Sequence, residues 1–325
     1  MRRLLRCLVA LLAVTAAAVP VVSAADPARG SAILDVRPLG GHQYQVTVYS
    51  AAMNRPITLW MSHPDRPAPL LYLLNAVDGG EDGGPWNVRT DAARFFADKP
   101  VNVVVPIGGR ASYYTDWASA DPVLGRNEWS TFLNRELPPL LAGRFRTTGR
   151  NAVAGVSMSG ASALDLAIDA PGMYQAVGAY SPSPNVSDPA MTSLVYSQLA
   201  TFGANATNMW GPPGSPGWAA HDPVVNAARL RGTALFISAG TGGSGPHENI
   251  TDASIAGNPL TLADRAGVGG AMEGMVNGST HTLTDRLAAL GIPATVDYRP
   301  GTHSWPYWQD ALHNSWPVFA RALGV

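Results

Sequence analysis

The sequence has almost no cysteine: of its 325 residues, only Cys7 carries a thiol. Cys7 lies in an N-terminal segment that we expect to be removed, so the remaining chain has no disulfide, thiolate metal site or cysteine nucleophile. Lysine is equally scarce, with Lys99 as the one example, and the formal net charge is −1. No basic cluster is present, which argues against nucleic acid as a partner.

Long apolar runs are confined to the N-terminus. Residues 1–6 include three arginines, residues 7–22 are almost wholly apolar, and Ser23 and Ala24 are small. This order predicts a secretory signal peptide over residues 1–24. A membrane anchor is the alternative, but the apolar run is short and contains Pro20. We therefore expect a protein secreted or held in the cell envelope, with residues 25–325 forming one domain and no later membrane span.

Two apolar patterns predict the fold. Alternation over residues 44–49 and 57–61 indicates antiparallel strands. Short, mostly apolar runs follow, at 70–74, 101–106, 152–156, 176–180, 235–238 and 294–298. Strands apolar on both faces are typical of a mostly parallel sheet with helices on both faces. Helical patterns lie between them, at about 91–97, 129–141, 159–170, 282–290 and 308–323. We predict the α/β class, with long loops at 75–87, 108–126, 181–222 and 240–271.

The sharpest motif is Gly-Val-Ser-Met-Ser-Gly over residues 155–160. It follows a predicted strand and opens a predicted helix, which is the setting of the nucleophile elbow in the α/β-hydrolase fold. The turn is so tight that glycine or another small residue must flank the nucleophile. Ser157 is therefore the candidate nucleophile, and Ser159 stands where the second glycine is usual. A turn that is merely rich in glycine and serine is the alternative.

A serine nucleophile needs a base, and in this fold the chain order is serine, acid, histidine. His303 follows the last predicted strand and precedes the last helix, so it is the candidate base. The other six histidines are assigned to packing or to the surface. Position alone favours Glu248 or Asp252 as the acid, but spacing leaves the choice open. His247-Glu248 lacks a second histidine four residues on, so a metal site is discounted there.

An ester's tetrahedral intermediate carries an oxyanion, which backbone amides stabilise. One donor is expected at Met158, directly after the nucleophile. The second is expected in the glycine-containing loop over residues 75–80, after the strand at 70–74. No glycine cluster is followed by the Lys-Ser/Thr of a phosphate-binding loop, and a nucleotide cofactor is not indicated.

The sequence resembles the antigen 85 family of mycolyltransferases, including its corynebacterial and nocardial members, over essentially the whole chain after the signal peptide. The resemblance rests on ordered, tryptophan-rich blocks at residues 73–75, 86, 108–109, 112–117, 129–138, 155–160, 208–212 and 301–308. It implies Ser157 as nucleophile, His303 as base and Glu273, within Glu-Gly-Met, as the acid. That last assignment overrules Glu248 and Asp252.

The resemblance also implies residues that bind substrate. The oxyanion amides fall on Val77 and Met158, while Ser304 and Trp305 contact the sugar or hold the histidine loop. Two positions depart from the family: Asn75 replaces an aspartate that grips the sugar, and Asp78 replaces an arginine. Trp86, Trp117 and Trp305 offer rings for stacking on a sugar, with core packing as the alternative.

The implied reaction moves a mycolyl group from trehalose monomycolate to trehalose or cell-wall arabinogalactan, with no metal or other cofactor. Two alternatives remain. One is a secreted carboxylesterase that uses water as acceptor. The other is an adhesion or carbohydrate-binding protein, because some relatives bind host fibronectin in the extracellular matrix. The family also contains a paralogue that has lost the nucleophile, and Ser157 with His303 argues against that status here.

Overall fold

The computed structural model describes residues 30–325. The predicted signal peptide, residues 1–24, lies outside the described residues. The described part contains one nine-stranded sheet, whose strands are β1 (Ala32–Gly40), β2 (Gln43–Ser50), β3 (Arg55–Ser62), β4 (Ala68–Leu74), β5 (Asn102–Ile107), β6 (Thr147–Val156), β7 (Tyr174–Tyr180), β8 (Ala234–Gly240) and β9 (Thr295–Arg299).

The strands lie in the order β1-β2-β3-β5-β4-β6-β7-β8-β9. β1, β2 and β3 form antiparallel pairs, and β3 also pairs antiparallel with β5. From β5 to β9 every pair is parallel. The mostly parallel sheet predicted from the apolar runs is confirmed. Parallel strands end at one common edge, so their carboxyl ends bring distant parts of the chain together.

Helices separate the parallel strands. They are α1 (Trp86–Arg89), α2 (Ala92–Phe95), α3 (Trp129–Thr131), α4 (Leu137–Phe145), α5 (Met158–Asp169), α6 (Pro189–Thr201), α7 (Thr207–Trp210), α8 (Pro216–Ala220), α9 (Pro259–Asp264), α10 (Gly270–Ala289) and α11 (Trp305–Leu323). Two π-helical segments continue neighbouring helices, at Phe132–Glu136 and Arg265–Gly269. A 3₁₀ turn covers Ala227–Leu230.

Two predicted loops are corrected. The segment 181–222 contains α6, α7 and α8, and the segment 240–271 contains α9 and the start of α10. Asp188 caps α6 and Asn258 caps α9, each with its side chain accepting from two backbone amides, and proline stands at the first turn of both. Those signals were present in the sequence but lay among glycines and prolines that favoured a loop.

The core lies on both faces of the sheet, and β4 shows why. Its side chains alternate, so Leu70, Tyr72 and Leu74 pack in one cluster with α4, α5 and α10. Leu71 and Leu73 pack in the other cluster, with α11. A strand buried on both faces cannot show polar alternation, which explains its continuous apolar sequence.

Helix α5 is buried at all but its last position, and most of its residues are small or apolar. It lies against β6 and β7. Within residues 30–325, no helix combines the length and the apolar character needed to cross a bilayer.

Candidate active site

The carboxyl edge of the parallel sheet collects the predicted site residues. Ser157 follows β6, the loop with Val77 follows β4, and His303 follows β9. Ser181 follows β7, and Gly240 ends β8. Five strand ends that are far apart in the sequence thus contribute to one place.

Ser157 stands at the turn between β6 and α5 with φ 54° and ψ −121°. Positive φ in a residue other than glycine is strained, at a cost of about 1–3 kcal/mol, and such residues cluster at functional sites. The turn also requires Gly155, because a Cβ there would lie 2.1 Å from the Ser159 carbonyl oxygen. The strand–turn–helix setting of the motif is as the sequence predicts.

Ser159 has a definite role at the position where a glycine is usual. Its side chain is fully buried, and its hydroxyl accepts from the Val156 amide at 2.9 Å. The same hydroxyl donates to the Leu74 carbonyl at 3.0 Å. Ser159 therefore joins the elbow to the end of β4, the strand that leads into the predicted oxyanion loop.

Hydrogen bonds connect Ser157, His303 and Glu273. The Nε2 of His303 lies 2.8 Å from the Ser157 Oγ, and its Nδ1 lies 2.6 Å from the Glu273 Oε2. The His303 side chain is 8% exposed and that of Glu273 is 1% exposed, so water screens this pair weakly. A proton on Nδ1, facing the carboxylate, leaves the Nε2 lone pair directed at the serine.

Glu273 lies in the first turn of α10, and its other oxygen is also occupied. Oε1 accepts from the Ser181 hydroxyl at 2.7 Å and from the Gly240 amide at 2.5 Å. The Trp308 indole donates to Ser181 at 3.0 Å, and its ring lies edge-on to that of His303. A carboxylate held by several donors keeps its orientation toward the imidazole.

The backbone amides of Val77 and Met158 are the predicted oxyanion donors. Within residues 30–325, neither amide donates to a protein acceptor. Met158 is the first residue of α5, where the helix dipole also favours an anion. The loop carrying Val77 is fixed, because its carbonyl accepts from the Ala111 amide at 2.8 Å.

Glu248 and Asp252, the acids favoured by position, do not contact His303. The carboxylate of Glu248 accepts from the Thr302 hydroxyl at 2.7 Å and from the Tyr307 hydroxyl. It therefore holds the loop on either side of His303. Asp252 pairs with His247 at 2.9 Å. Of Glu248, Asp252 and Glu273, the structure brings only Glu273 to the imidazole.

A cleft of about 640 Å³ opens beside His303. Asp78, Ser304 and Trp305 line it, as does Arg89. The carboxylate of Asp78 accepts from the Gly80 amide at 3.0 Å, which fixes it at the rim of the cleft. These are the predicted substrate-binding residues that the structure places where a ligand has access.

Three other predicted substrate-binding residues lie in the core. Asn75 and Trp86 are fully buried, and Trp117 is 5% exposed. The indole of Trp86 donates to the Leu74 carbonyl, and that of Trp117 donates to the Ser112 carbonyl. Because neither ring has a face open to solvent, packing replaces sugar stacking as our interpretation of both tryptophans.

The sequence interpretation missed Ser181, Gly240, Thr302 and Trp308. A signal existed for the first two, because each ends or directly follows a buried strand at the carboxyl edge. No pattern marks Trp308 as a donor to Ser181, since the two are 127 residues apart.

Comparison with known proteins defines the class. An esterase family model matches residues 50–317. The S-formylglutathione hydrolase of Agrobacterium tumefaciens has the same fold, with a TM-score of 0.63 at 14% identity, and it covers 90% of this chain and 99% of its own. The molecule has the α/β-hydrolase fold and belongs to the esterase class of enzymes.

Relatives of higher sequence identity identify the family within this class of enzymes. The diacylglycerol acyltransferase/mycolyltransferase Ag85A of Mycobacterium leprae is 33% identical over 86% of this chain and 82% of its own length. Ag85A of Mycobacterium bovis is 32% identical over 86% of this chain and 80% of its own. The crystal structure of Mycobacterium tuberculosis MPT51 matches with a TM-score of 0.72 at 25% identity, and the match covers 86% of this chain and 98% of the MPT51 chain. The chain belongs to the antigen 85 family of mycolyltransferases.

Proposed function

We propose that this protein is a secreted serine acyltransferase that moves a mycolyl group from trehalose monomycolate to trehalose or to cell-wall arabinogalactan. The observation that carries the proposal is the hydrogen-bonded series Ser157–His303–Glu273 at the carboxyl edge of the sheet. The relatives are named mycolyltransferases, and we infer from those names that the transferred acyl group is a mycolyl group. Acyl transfer from a sugar ester to a sugar hydroxyl through an acyl-serine needs no nucleotide or metal.

In the first step, His303 Nε2 takes the hydroxyl proton of Ser157 as Oγ attacks the ester carbonyl. The carbonyl oxygen gains negative charge, which the Val77 and Met158 amides stabilise. When the tetrahedral intermediate collapses, His303 returns the proton to the leaving trehalose oxygen, and the acyl group stays on Ser157 as an ester. Glu273 keeps Nδ1 protonated and stabilises the imidazolium ion.

In the second step, a sugar hydroxyl attacks the acyl-serine while His303 takes its proton. The acceptor must compete with water, so the cleft must bind and orient it. Asp78, Ser304 and Trp305 are our candidates for that role, because they line the cleft beside His303. Carboxylate and hydroxyl oxygens accept from sugar hydroxyls, and an indole face stacks on a sugar ring.

Export is part of the proposal and rests on residues 1–24, where the sequence has the pattern of a signal peptide. Protein recovered from the medium of the producing cells should begin at Ala25. Recovery of a chain that still begins at Met1 would contradict export.

The deciding experiment incubates the enzyme with trehalose monomycolate, alone and with added trehalose or arabinan fragments. Acylated sugar should form faster than free mycolic acid, and Ser157→Ala should lose both products together with labelling by a fluorophosphonate. Free acid as the sole product under every condition would identify a carboxylesterase. Labelling that persists in Ser157→Ala would show that the nucleophile is another residue, and absence of turnover in an intact protein would favour a binding role.

A further inference from the structure

A second cluster of polar side chains lies on α5, away from the Ser157 site. Asp165 and Asp169 are four residues apart, so they occupy the same face of the helix. His221, which directly follows α8, completes the cluster, and its Nδ1 lies 2.8 Å from Asp165 Oδ2. One ligand atom of each residue lies within 4.8 Å of those of the other two.

One oxygen of this cluster lacks a partner. Asp165 is 6% exposed, and its Oδ1 is buried without a hydrogen bond in the described part of the chain. A buried carboxylate oxygen without a donor is costly, so native structures usually supply a donor, a water or a cation. A cavity of about 10 Å³ adjoins Asp165 and His221, is also lined by Trp210 but not by Asp169, and has room for one such particle.

We propose that Asp165, Asp169 and His221 form a binding site for one divalent transition-metal ion of the Zn²⁺ type. Two carboxylates and one imidazole are a ligand set that such ions accept, and they leave one tetrahedral position for water. Asp169 is exposed and gives the ion a path from solvent. An imidazole ligand disfavours Mg²⁺ and Ca²⁺, which prefer oxygen ligands.

Binding exchanges a proton for the ion. The metal forms one bond to His221 Nδ1 and one to Asp165, and the proton between those two atoms leaves for solvent. An imidazole and a carboxylate bind a metal only when they are deprotonated, so affinity for the metal should fall as the pH is lowered.

Other groups around the cluster leave the Oδ1 of Asp165 without a partner: the Ser130 hydroxyl donates to Asp169 at 3.1 Å, and the Thr115 hydroxyl lies 3.4 Å from Nδ1 of His221. Arg229 and Asp116 are the remaining charged side chains that act on Asp165 and His221, with opposite signs. The carboxylate of Asp116 is already engaged by the amide and hydroxyl of Thr131. The ring of Trp210 stacks on that of His221 with an interplanar angle of 11°, which fixes the imidazole in place.

The role of the ion would be structural. It would connect α5, whose N-terminus carries the proposed nucleophile, to the segment after α8. This proposal does not depend on the acyl-transfer reaction, because none of its three ligands contacts Ser157, His303 or Glu273. The sequence pattern assigned His221 to packing or to the surface and predicted no metal, so the proposed site gives this residue a different role.

The test titrates Zn²⁺ into tag-free, chelator-treated protein by calorimetry at pH 7.5 and again at pH 6. One ion should bind per chain, more weakly at the lower pH, and excess Mg²⁺ should not compete. Co²⁺ bound at the same site should give visible d–d absorption. Asp169→Asn and His221→Asn should each weaken binding at least tenfold. Asp169 is exposed, so its variant should fold even if the His221 variant does not.

His247→Asn is the matched control, since His247 also lies between two carboxylates, at 2.9 Å and 2.8 Å, but belongs to no three-ligand group among the described residues. The affinity of the His247→Asn variant for Zn²⁺ should equal that of the wild type. Absence of 1:1 binding to the wild type, or equal binding by Asp169→Asn, would overturn the proposal. Ester hydrolysis by metal-free Asp169→Asn should remain at the wild-type rate, which separates this result from any failure of the proposed reaction.

Discussion

Replacement of Glu273 by glutamine tests how the acid acts through His303. The two carboxylate oxygens have different partners: Oε1 accepts from Ser181 and Gly240, while Oε2 faces Nδ1 of His303. In Glu273→Gln, the amide oxygen must take the place of Oε1, because an NH₂ group there would face two donors. The NH₂ group then faces His303 and needs an acceptor.

That arrangement forces the wrong tautomer. With the glutamine NH₂ donating to Nδ1, the proton of neutral His303 moves to Nε2, which can no longer accept from Ser157. In Ser-His-Asp triads, the corresponding amide replacement lowers kcat about 10⁴-fold. We expect a loss of about 10³ to 10⁴ in kcat, which corresponds to about 4 to 5 kcal/mol of transition-state stabilisation. Stability should change little, because the bonds to Ser181 and Gly240 persist.

The assay measures kcat and KM for a short p-nitrophenyl ester, with the unfolding midpoint recorded for each variant. Glu248→Gln is the matched control, since Glu248 carries three hydrogen bonds, from Thr302, Tyr307 and Gly245, but none from His303. It should remain within tenfold of the wild type, as should Asp252→Asn. A folded Glu273→Gln variant that keeps a tenth or more of the wild-type kcat would refute the tautomer argument.

Two further predictions concern stability. Ser159→Gly restores the usual glycine of the elbow, yet it should destabilise the protein by about 1–3 kcal/mol, because the buried Val156 amide loses its acceptor; denaturant unfolding measures this, and an unchanged midpoint would contradict it. Burial opposes protonation of His247, but Asp310 and Asp252 outweigh it and raise the pKa of His247. The stabilisation is therefore complete below about pH 6.5 and lost as the pH rises through the raised pKa. Denaturant unfolding of His247→Asn should show a larger loss at pH 5.5 than at pH 8.5, and an equal loss would exclude the ion pair as its cause.

The strands that could be predicted are those whose burial requires a run of apolar residues in the sequence. β4 to β8 each contain a segment buried on both faces, and each overlaps a predicted apolar run. β1 was missed because it is the edge strand of the sheet and most of its residues are exposed. Its pairing with β2 also contains two register shifts, which interrupt any regular alternation.

Helix α10 shows why local propensity was insufficient for the acid. Its first nine residues include three glycines, at positions 270, 274 and 278, which disfavour helix in isolation. Burial of Val276, Leu283 and Leu287 stabilises it instead. The side chain of Glu273 faces His303 because α10 forms. The sequence pattern did not predict this part of the helix, so the choice of the acid stayed undecided until the family resemblance was considered.

Asn75 and Asp78 show how a departure from the family is resolved by geometry. The amide nitrogen of Asn75 donates to the carbonyls of Pro106, at 2.7 Å, and Gly79, at 3.3 Å, while its oxygen accepts from the Trp86 amide. An aspartate in this conformation would place a carboxylate against two carbonyl oxygens, which is unfavourable in a buried site. Asparagine at this position therefore holds the loop that carries Val77 and does not reach the cleft. Asp78, three residues later, lies at the rim of the cleft, and we expect any change in acceptor preference to originate from its charge.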